Sequence, residues 1–415
     1  MTDQTSTIPN GWKITTLGNV GITVTGKTPS RDNPGDWGDS LDFITPTDIS
    51  SDSKYLKNVS RKLSGEGANR FKKMIIPSKS IVVSCIGSDM GKVVMNENQA
   101  LTNQQINSIK INSENDNDFI FYLLKDSYSI LRNIAIGGST MPILNKTTFE
   151  SLEFLIPPLL EQSAIAAVLS SLDNKIELLR EQNKTLEATA QVIFKEWFVN
   201  FNFPGATGKM IDSELGQIPE GWRVEKITDI FDFIKGSEPG AANYSSEKFN
   251  SHYVPFYRVQ DISAYGDIPK IYVEEKLLRG KIFSPDDILI SLDGTIGRVF
   301  IGGAGGHSGG IRRVVGKQDF IKKSLIFCFL KSSKFQNDLV SFSGAETTIK
   351  HAGGAIEQIK FVLHKDVCES FGKALDPLFK KITANISQIQ TISTLRDTLL
   401  PKLMRGEVRV NGFKE

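Results

Sequence analysis

Ile8-Pro9-Asn10-Gly11-Trp12 recurs 210 residues further on as Ile218-Pro219-Glu220-Gly221-Trp222. The same offset carries Gly26 onto Gly236 and Pro29 onto Pro239. Next, Phe43 with Asp48-Ile49-Ser50 matches Phe256 with Asp261-Ile262-Ser263, and Ile81-Val82-Val83-Ser84 matches Ile288-Leu289-Ile290-Ser291. Both of the latter runs lead into a glycine pair around a polar turn: Gly87-Ser88-Asp89-Met90-Gly91-Lys92-Val93 in one copy, Gly294-Thr295-Ile296-Gly297-Arg298-Val299 in the other. Thr140 and Glu150-Ser151-Leu152-Glu153-Phe154 then match Thr347 and Glu357-Gln358-Ile359-Lys360-Phe361. Self-similarity sustained over this distance predicts two copies of one structural unit.

Inside each copy the apolar runs are short, β-branched and bounded by Gly, Asn, Asp and Pro, as at Ile81 to Val83, Lys92 to Met95, Ile288 to Ile290 and Arg298 to Ile301. These are strand and turn signals. Helical stretches such as Asp118 to Asn133 interrupt them, so each copy is expected to be an α/β domain of about 150 residues. A different pattern follows each copy. After Pro157-Pro158, apolar residues fall at Ile165, Leu169, Leu172, Ile176, Leu179, Leu186, Ala190, Ile193 and Trp197, with Asn183 at the interrupted position. Alternating steps of four and three predict a coiled-coil seam, and one core asparagine commonly fixes its register. A second seam runs through Leu375, Phe379, Ile382, Ile386, Ile389, Ile392, Leu395, Leu399 and Leu403, with a phase slip near Ile392. Asp376-Pro377 fits a helix N-cap followed by proline, and Pro401 and Gly406 are expected to kink or end that helix.

The expected order is thus domain, helix, domain, helix, with the two seams buried against each other, antiparallel, and the two domains related by a pseudo-two-fold internal repeat. Glu161 to Trp197 would span roughly 55 Å as a helix. Such a ruler suits two half-sites on one face of duplex DNA, which lie about 34 to 36 Å apart or a similar larger distance. A split, asymmetric target is the expectation, with the two copies reading different halves.

Composition narrows the class. A 40% hydrophobic and 23% charged chain of 415 residues is a soluble globular protein with more than one core. The opening MTDQTSTIPN lacks the regions of a signal peptide, and no stretch reaches the roughly 18 apolar residues of a membrane span. Three scattered cysteines and four scattered histidines argue against a disulfide framework and against a metal site. A cytoplasmic, metal-free protein is expected. Net charge is only +2, but Lys54, Lys57, Arg61, Lys62, Arg70, Lys72 and Lys73 face a single acid, Glu66, within one run. Such an excess can neutralise several phosphates.

Catalytic signals are missing. Gly87 to Lys92 is one residue short of a Walker A loop and lacks the following Ser or Thr. Gly302 to Gly310 (GGAGGHSGG) has no counterpart in the first copy and no dinucleotide-binding frame, which predicts a flexible loop. Asp376-Pro377-Leu378-Phe379 is the nearest approach to an amino-methylase turn and is better explained as a cap. Pro285-Asp286-Asp287 could begin a nuclease cluster, yet Pro77-Ser78-Lys79 in the other copy keeps the turn and loses both acids.

With these parts in order, the chain resembles the specificity subunit of type I restriction–modification systems. Ile156-Pro157-Pro158-Leu159-Leu160-Glu161-Gln162, Ile176 to Asn183, Leu186-Glu187 and Phe194-Lys195-Glu196-Trp197-Phe198 are similar to that family's central helical region. Leu395 to Glu407 (LRDTLLPKLMRGE) is similar to its distal counterpart, and the two Pro-x-Gly-Trp openings to the starts of its target-recognition domains. The resemblance implies target-recognition domains at 1–157 and 204–363, a central spacer helix at 158–203, and a C-terminal spacer helix and tail at 364–415. It implies no catalytic site and no cofactor in this chain. The implied partners are double-stranded DNA, two methylation subunits using S-adenosylmethionine on adenine, and restriction–translocase subunits using ATP and Mg.

Base readout needs Arg, Lys, Asn or Gln at groove edges. In the first copy the candidates are Lys27, Arg31, Thr47, Arg61, Lys62, Arg70, Lys92, Asn103, Gln104 and Gln105. In the second they are Lys235, Tyr257, Arg258, Gln260, Arg298, Arg312, Arg313 and Lys350. For partner docking the candidates are an outward aromatic helix end, Phe194, Trp197 and Phe198, with Leu399 and Leu403. The alternatives are a two-domain DNA-binding regulator without methylase partners, and a coiled-coil adapter that binds no DNA.

Overall fold

The structure, a computed structural model, describes residues 8–50, 53–87, 90–134, 143–262, 268–343 and 350–410. The opening MTDQTST, the turn residues Ser88 and Asp89, and the matched Thr140, Ser263 and Thr347 lie outside the described residues. The chain forms two compact units, one of Met1–Asn174 with Ser393–Glu415, the other of Lys175–Ile392. None of the described helices is long and apolar enough to cross a membrane.

Each copy of the repeat opens on the pentapeptide, folded as a turn. Trp12 N–H donates to Pro9 O over 3.0 Å, and Trp222 N–H to Pro219 O over 3.1 Å. Gly11 and Gly221 stand at φ +80° and +86°, which only glycine adopts without strain. The turn buries each tryptophan and leads into a strand, Lys13–Thr16 or Arg223–Lys226, that pairs with the last strand of its unit, Glu153–Ile156 or Lys360–Leu363.

The first unit then builds an antiparallel sheet in the order Gly21–Thr25, Ile106–Ile111, Ile81–Ser84, Val93–Met95. A second sheet runs Trp37–Gly38, Arg61–Leu63, Leu41–Ile44, Ala100–Thr102, and its last pair is parallel. The second unit repeats both. Phe231–Lys235, Ile311–Gly316, Ile288–Ser291 and Val299–Phe300 form one sheet; Tyr272–Glu274, Tyr253–Tyr257, Gly305–His307 and Ile282–Phe283 the other. Ile81–Ser84 and Ile288–Ser291 are buried at every residue, the composition expected of central strands. Helix pairs cover the first sheets: Asn117–Asp126 with Tyr128–Ile134, and Lys323–Lys331 with Ser333–Phe342.

The glycine-rich segment departs from expectation. It is no flexible loop and has a counterpart in the first copy. Gly305–His307 lies parallel to Tyr253–Tyr257, just as Ala100–Thr102 lies parallel to Leu41–Ile44. Its glycines are packing requirements: a Cβ at Gly305 would meet Pro255 O at 2.2 Å, and one at Gly306 would meet Leu278 Cδ1 at 2.5 Å.

Two long helices, Leu159–Phe198 and Lys365–Met404, contribute to both units. In the second unit Ala190, Phe194 and Phe198 pack with Phe371, Leu375 and Phe379. In the first, Ile165 and Leu169 share a core with Leu400, Leu403 and Met404. Asn183 is buried and accepts from Asn385 Nδ2 at 2.8 Å, so the asparagine at the interrupted position meets a second one on the partner helix. Asp376-Pro377 does not start the helix, which begins eleven residues earlier at Lys365. Buried Phe371, Leu375 and Phe379 hold it through the proline, and Asp376 Oδ1 accepts from Ser324 Oγ at 2.8 Å. The far end stops as expected, with Gly406 at φ +68°, its N–H on Leu403 O and the Glu407 N–H on Lys402 O.

Candidate nucleic-acid interface

The parallel strand pair decides where loops meet. Because Leu41–Ile44 and Ala100–Thr102 run the same way, their carboxyl ends emerge side by side. Asn103 N–H donates to Ile44 O (3.0 Å) and Lys27 N–H to Thr102 O (2.9 Å), which draws the loop after Gly21–Thr25 to the same edge. Gly26 makes that approach possible, since a Cβ there would sit 1.9 Å from Thr102 O. Thr28 Oγ1 donates to Gln104 Oε1 at 2.6 Å, tying the loops by their side chains. Ser60 N–H donates to Asp48 Oδ1 at 3.2 Å and brings the residue before Arg61 to this edge as well. Partial burial raises the Asp48 pKa, but the hydrogen bonds from Thr45 and Ser60 outweigh it and hold the carboxyl below its usual range.

The second unit repeats the device. Ser237 N–H donates to His307 O and Ser308 N–H to Tyr257 O, both at 2.9 Å, and a Cβ on Gly236 would lie 2.1 Å from His307 O. Asp261 closes its turn on the Arg258 N–H as Asp48 does on the Thr45 N–H. The scaffold is shared and the side chains it displays are not.

In the first unit the edge is basic. An open cleft of about 740 Å³ is lined by Lys27, Thr28, Arg70, Lys72 and Lys73 over an apolar floor of Phe71 and Met74. Lys27, Arg31, Thr47, Arg61, Lys62, Arg70 and Gln104 are all exposed, and Lys92 and Gln105 are half-buried. Lys72 and Lys73, in the basic run but absent from the candidates, belong to this cleft. Two expectations fail here. Lys54 is buried, 2.8 Å from Asp118 Oδ2, and Asn103 is 9% exposed, its side chain tied to Gln105 at 3.3 Å and to the Gln105 N–H at 2.9 Å.

In the second unit Lys235, Gln260 and Arg298 are exposed at or near the corresponding edge. Tyr257 is 1% exposed and packs on Phe283 and Phe300, so it is a core residue rather than a reader of base edges. Arg258 is held by Asp261 through Nε at 2.7 Å and Nη2 at 2.9 Å, which raises its pKa. Arg312 donates to Gly309 O and Ile311 O, and Arg313 to Ile282 O with Asp287 at 3.4 Å. These half-buried arginines on the Ile311–Gly316 strand bond their own unit. Lys350 lies on the strand Lys350–His351, and its side chain is outside the described residues.

The aromatic helix end faces inward. Phe194 and Phe198 are 3% and 5% exposed, stack 5.1 Å apart and pack on Phe361 and Phe371; Trp197 lies edge-on to Phe371. Leu403 is buried at 2% and Leu399 packs against the first unit's core. A five-residue sequence with this many aromatics reads equally well as an exposed patch or as a core, and the rings of Phe361 and Phe371 decide it. Asp286 and Asp287 are engaged by Lys323 at 2.6 and 3.2 Å, and no group of described His, Cys, Asp or Glu is arranged to hold a metal ion. Burial pushes the thiols of Cys85, Cys328 and Cys368 up to about 12, far from the range of a reactive thiolate.

Comparison with known proteins gives one consistent outcome. The family described as type I restriction modification DNA specificity domain matches twice, over residues 9–188 and 219–390. A type I restriction enzyme specificity subunit of Methanocaldococcus jannaschii is 28% identical over 97% of this chain and 95% of its own length. One from Haemophilus influenzae is 34% identical over 41% of this chain and 38% of its own. The crystal structure of a type I restriction–modification system S subunit from M. genitalium shares the fold, with a TM-score of 0.54 at 16% identity over 97% of this chain and 98% of that one.

Proposed function

The chain belongs to the type I restriction modification DNA specificity family, and from that premise we propose that it is the DNA-recognition subunit of a type I restriction–modification complex, reading a bipartite, asymmetric site. The observation that carries this is the duplicated strand-end scaffold. Gly26 and Gly236 bring the same loops together in both units, while the residues at the matched positions differ: Lys27, Thr47 and Gln104 in one, Ser237, Gln260 and Gly309 in the other. One backbone with two sets of side chains is what reading two different half-sites requires. The exposed Lys and Arg of the first unit supply phosphate neutralisation, and the polar loop residues supply base contacts.

In this account the chain positions and does not catalyse. Adenine methylation from S-adenosylmethionine falls to methylation subunits, and ATP- and Mg-dependent translocation and cleavage to restriction subunits. The chain directs where they act.

Purification with and without the neighbouring methylation subunit, followed by duplex binding across a salt series, tests this. The account predicts a stable complex whose log affinity falls linearly with log salt. Selective duplex binding by the chain alone, with no association, would make it a free-standing regulator. Absence of salt-dependent duplex binding would make it an adapter.

A further inference from the structure

Of the basic run in the first unit, Lys54, Lys62 and Arg70 have acidic partners: Asp118 at 2.8 Å, Asp42 at 3.2 Å, and Asp36 and Glu66 at 3.1 and 3.2 Å. Arg61 differs. Among the described residues its guanidinium meets rings instead of carboxylates, with Cζ 3.7 Å from the centroid of Trp37 and 5.4 Å from that of Phe43. Trp37 is itself fixed edge-on to Phe43 at 5.1 Å, and Phe43 is wholly buried with Leu63 and Leu101. At 3.7 Å, a stacking separation, the arginine therefore sits over a rigid aromatic base and remains exposed.

Stacking occupies the face of a guanidinium and leaves the N–H donors around its edge unused. It also holds in place a side chain that otherwise loses much rotamer freedom when fixed. Arg61 stands opposite Phe43 on the neighbouring strand, next to Ser60, whose N–H is bound to Asp48 of the strand-end turn. It is therefore at the edge where the loops bearing Thr47 and Gln104 emerge. In the second unit Phe256 takes the place of Phe43, and its N–H donates to Ile271 O at 2.9 Å. The position equivalent to Arg61 is thus the apolar Ile271. The duplicated scaffold carries a preset fork of donors in one copy and none in the other.

The geometry points to Arg61 as a base-reading residue of the first unit, directed at a guanine in its half-site. Paired in-plane donors match guanine O6 and N7 in the major groove, and no other base edge there offers two adjacent acceptors. This rests on the proposed DNA-recognition role. A phosphate contact would need only the charge, which lysine also supplies.

The test uses the chain assembled with its methylation subunits and a randomised duplex pool, from which bound duplexes are recovered and sequenced. Wild type, Arg61→Lys and Arg61→Ala are compared, together with the salt slope of each. Both variants should relax one guanine position in one half-site, with discrimination there falling roughly ten- to a hundredfold, and leave the other half-site intact. Arg61→Lys should keep the salt slope. Uniform weakening of Arg61→Ala across all sequences, with Arg61→Lys behaving as wild type, would make Arg61 a phosphate contact and overturn the inference. An unchanged motif in both variants would overturn it too. If wild type recovers no motif, the recognition role itself falls, and the assignment with it.

Discussion

His307 shows how far a single residue's chemistry can diverge from what its neighbours in sequence suggest. Set among glycines, it looks like part of a mobile loop; in the structure it is 1% exposed, with its ring 5.9 Å from that of Phe283. Burial lowers its imidazole from the ordinary 6.5 to about 4, and the nearby Arg313 and Arg312 act in the same direction. As pH falls, the unfolded chain takes up this proton first. Stability from the neutral ring is therefore complete above pH 6.5 and is lost between 6.5 and about 4, on the order of 3 kcal/mol in all. Thermal unfolding followed through that window should show the loss, and His307→Asn should flatten it; a slope untouched by the substitution would contradict the assignment. The candidate residues divide on the same physics. Lys27, Arg61, Arg70 and Gln104 are exposed, as charged and amide side chains usually are. Residue type could not reveal that Tyr257 fills a core, because that burial depends on Phe283 and Phe300, far away in sequence; the Arg258–Asp261 pair, by contrast, closes over only three residues.

At the scale of elements, the second long helix is the instructive case. Its apolar pattern slips near Ile392, yet the seam keeps its spacing of four and three if the half-buried Ser393 and Arg396 are counted between Ile389 and Leu400, Leu403. Arg396 is 14% exposed at its side chain and bonds Asp173 Oδ1 at 2.6 Å, while Tyr122 OH donates to Asp173 Oδ2 at 2.7 Å. A heptad written in hydrophobic residues hides a polar pair that occupies the same seam. Arg396→Ala strands a buried carboxylate and should destabilise by about 3 to 5 kcal/mol. Replacing both residues, as Asp173→Leu with Arg396→Leu, should cost much less than that single change, and a denaturant-unfolding cycle measures the difference. Equal costs for the single and double variants would show that the pair does not act as a unit. The other misread elements share a cause. Pro377 sits within a helix and Gly305–His307 within a sheet because tertiary packing overrides local propensity at both places.

For the whole molecule, duplication was the most legible feature, since Pro-Gly-Trp turns, strand runs and glycines recur in order and the two units repeat them sheet for sheet. What was less legible is how each helix divides its residues between two cores, a consequence of pairing that no single helix sequence states. The central claim is that this chain decides where partner subunits modify DNA. Methyl-adenine should be mapped base by base on a mixed duplex library treated with the methylation subunit, in the presence and absence of this chain. The account predicts methylation confined to one asymmetric, split motif, and its loss when the chain is omitted. No methylation with the chain present, or the same pattern without it, would contradict the account.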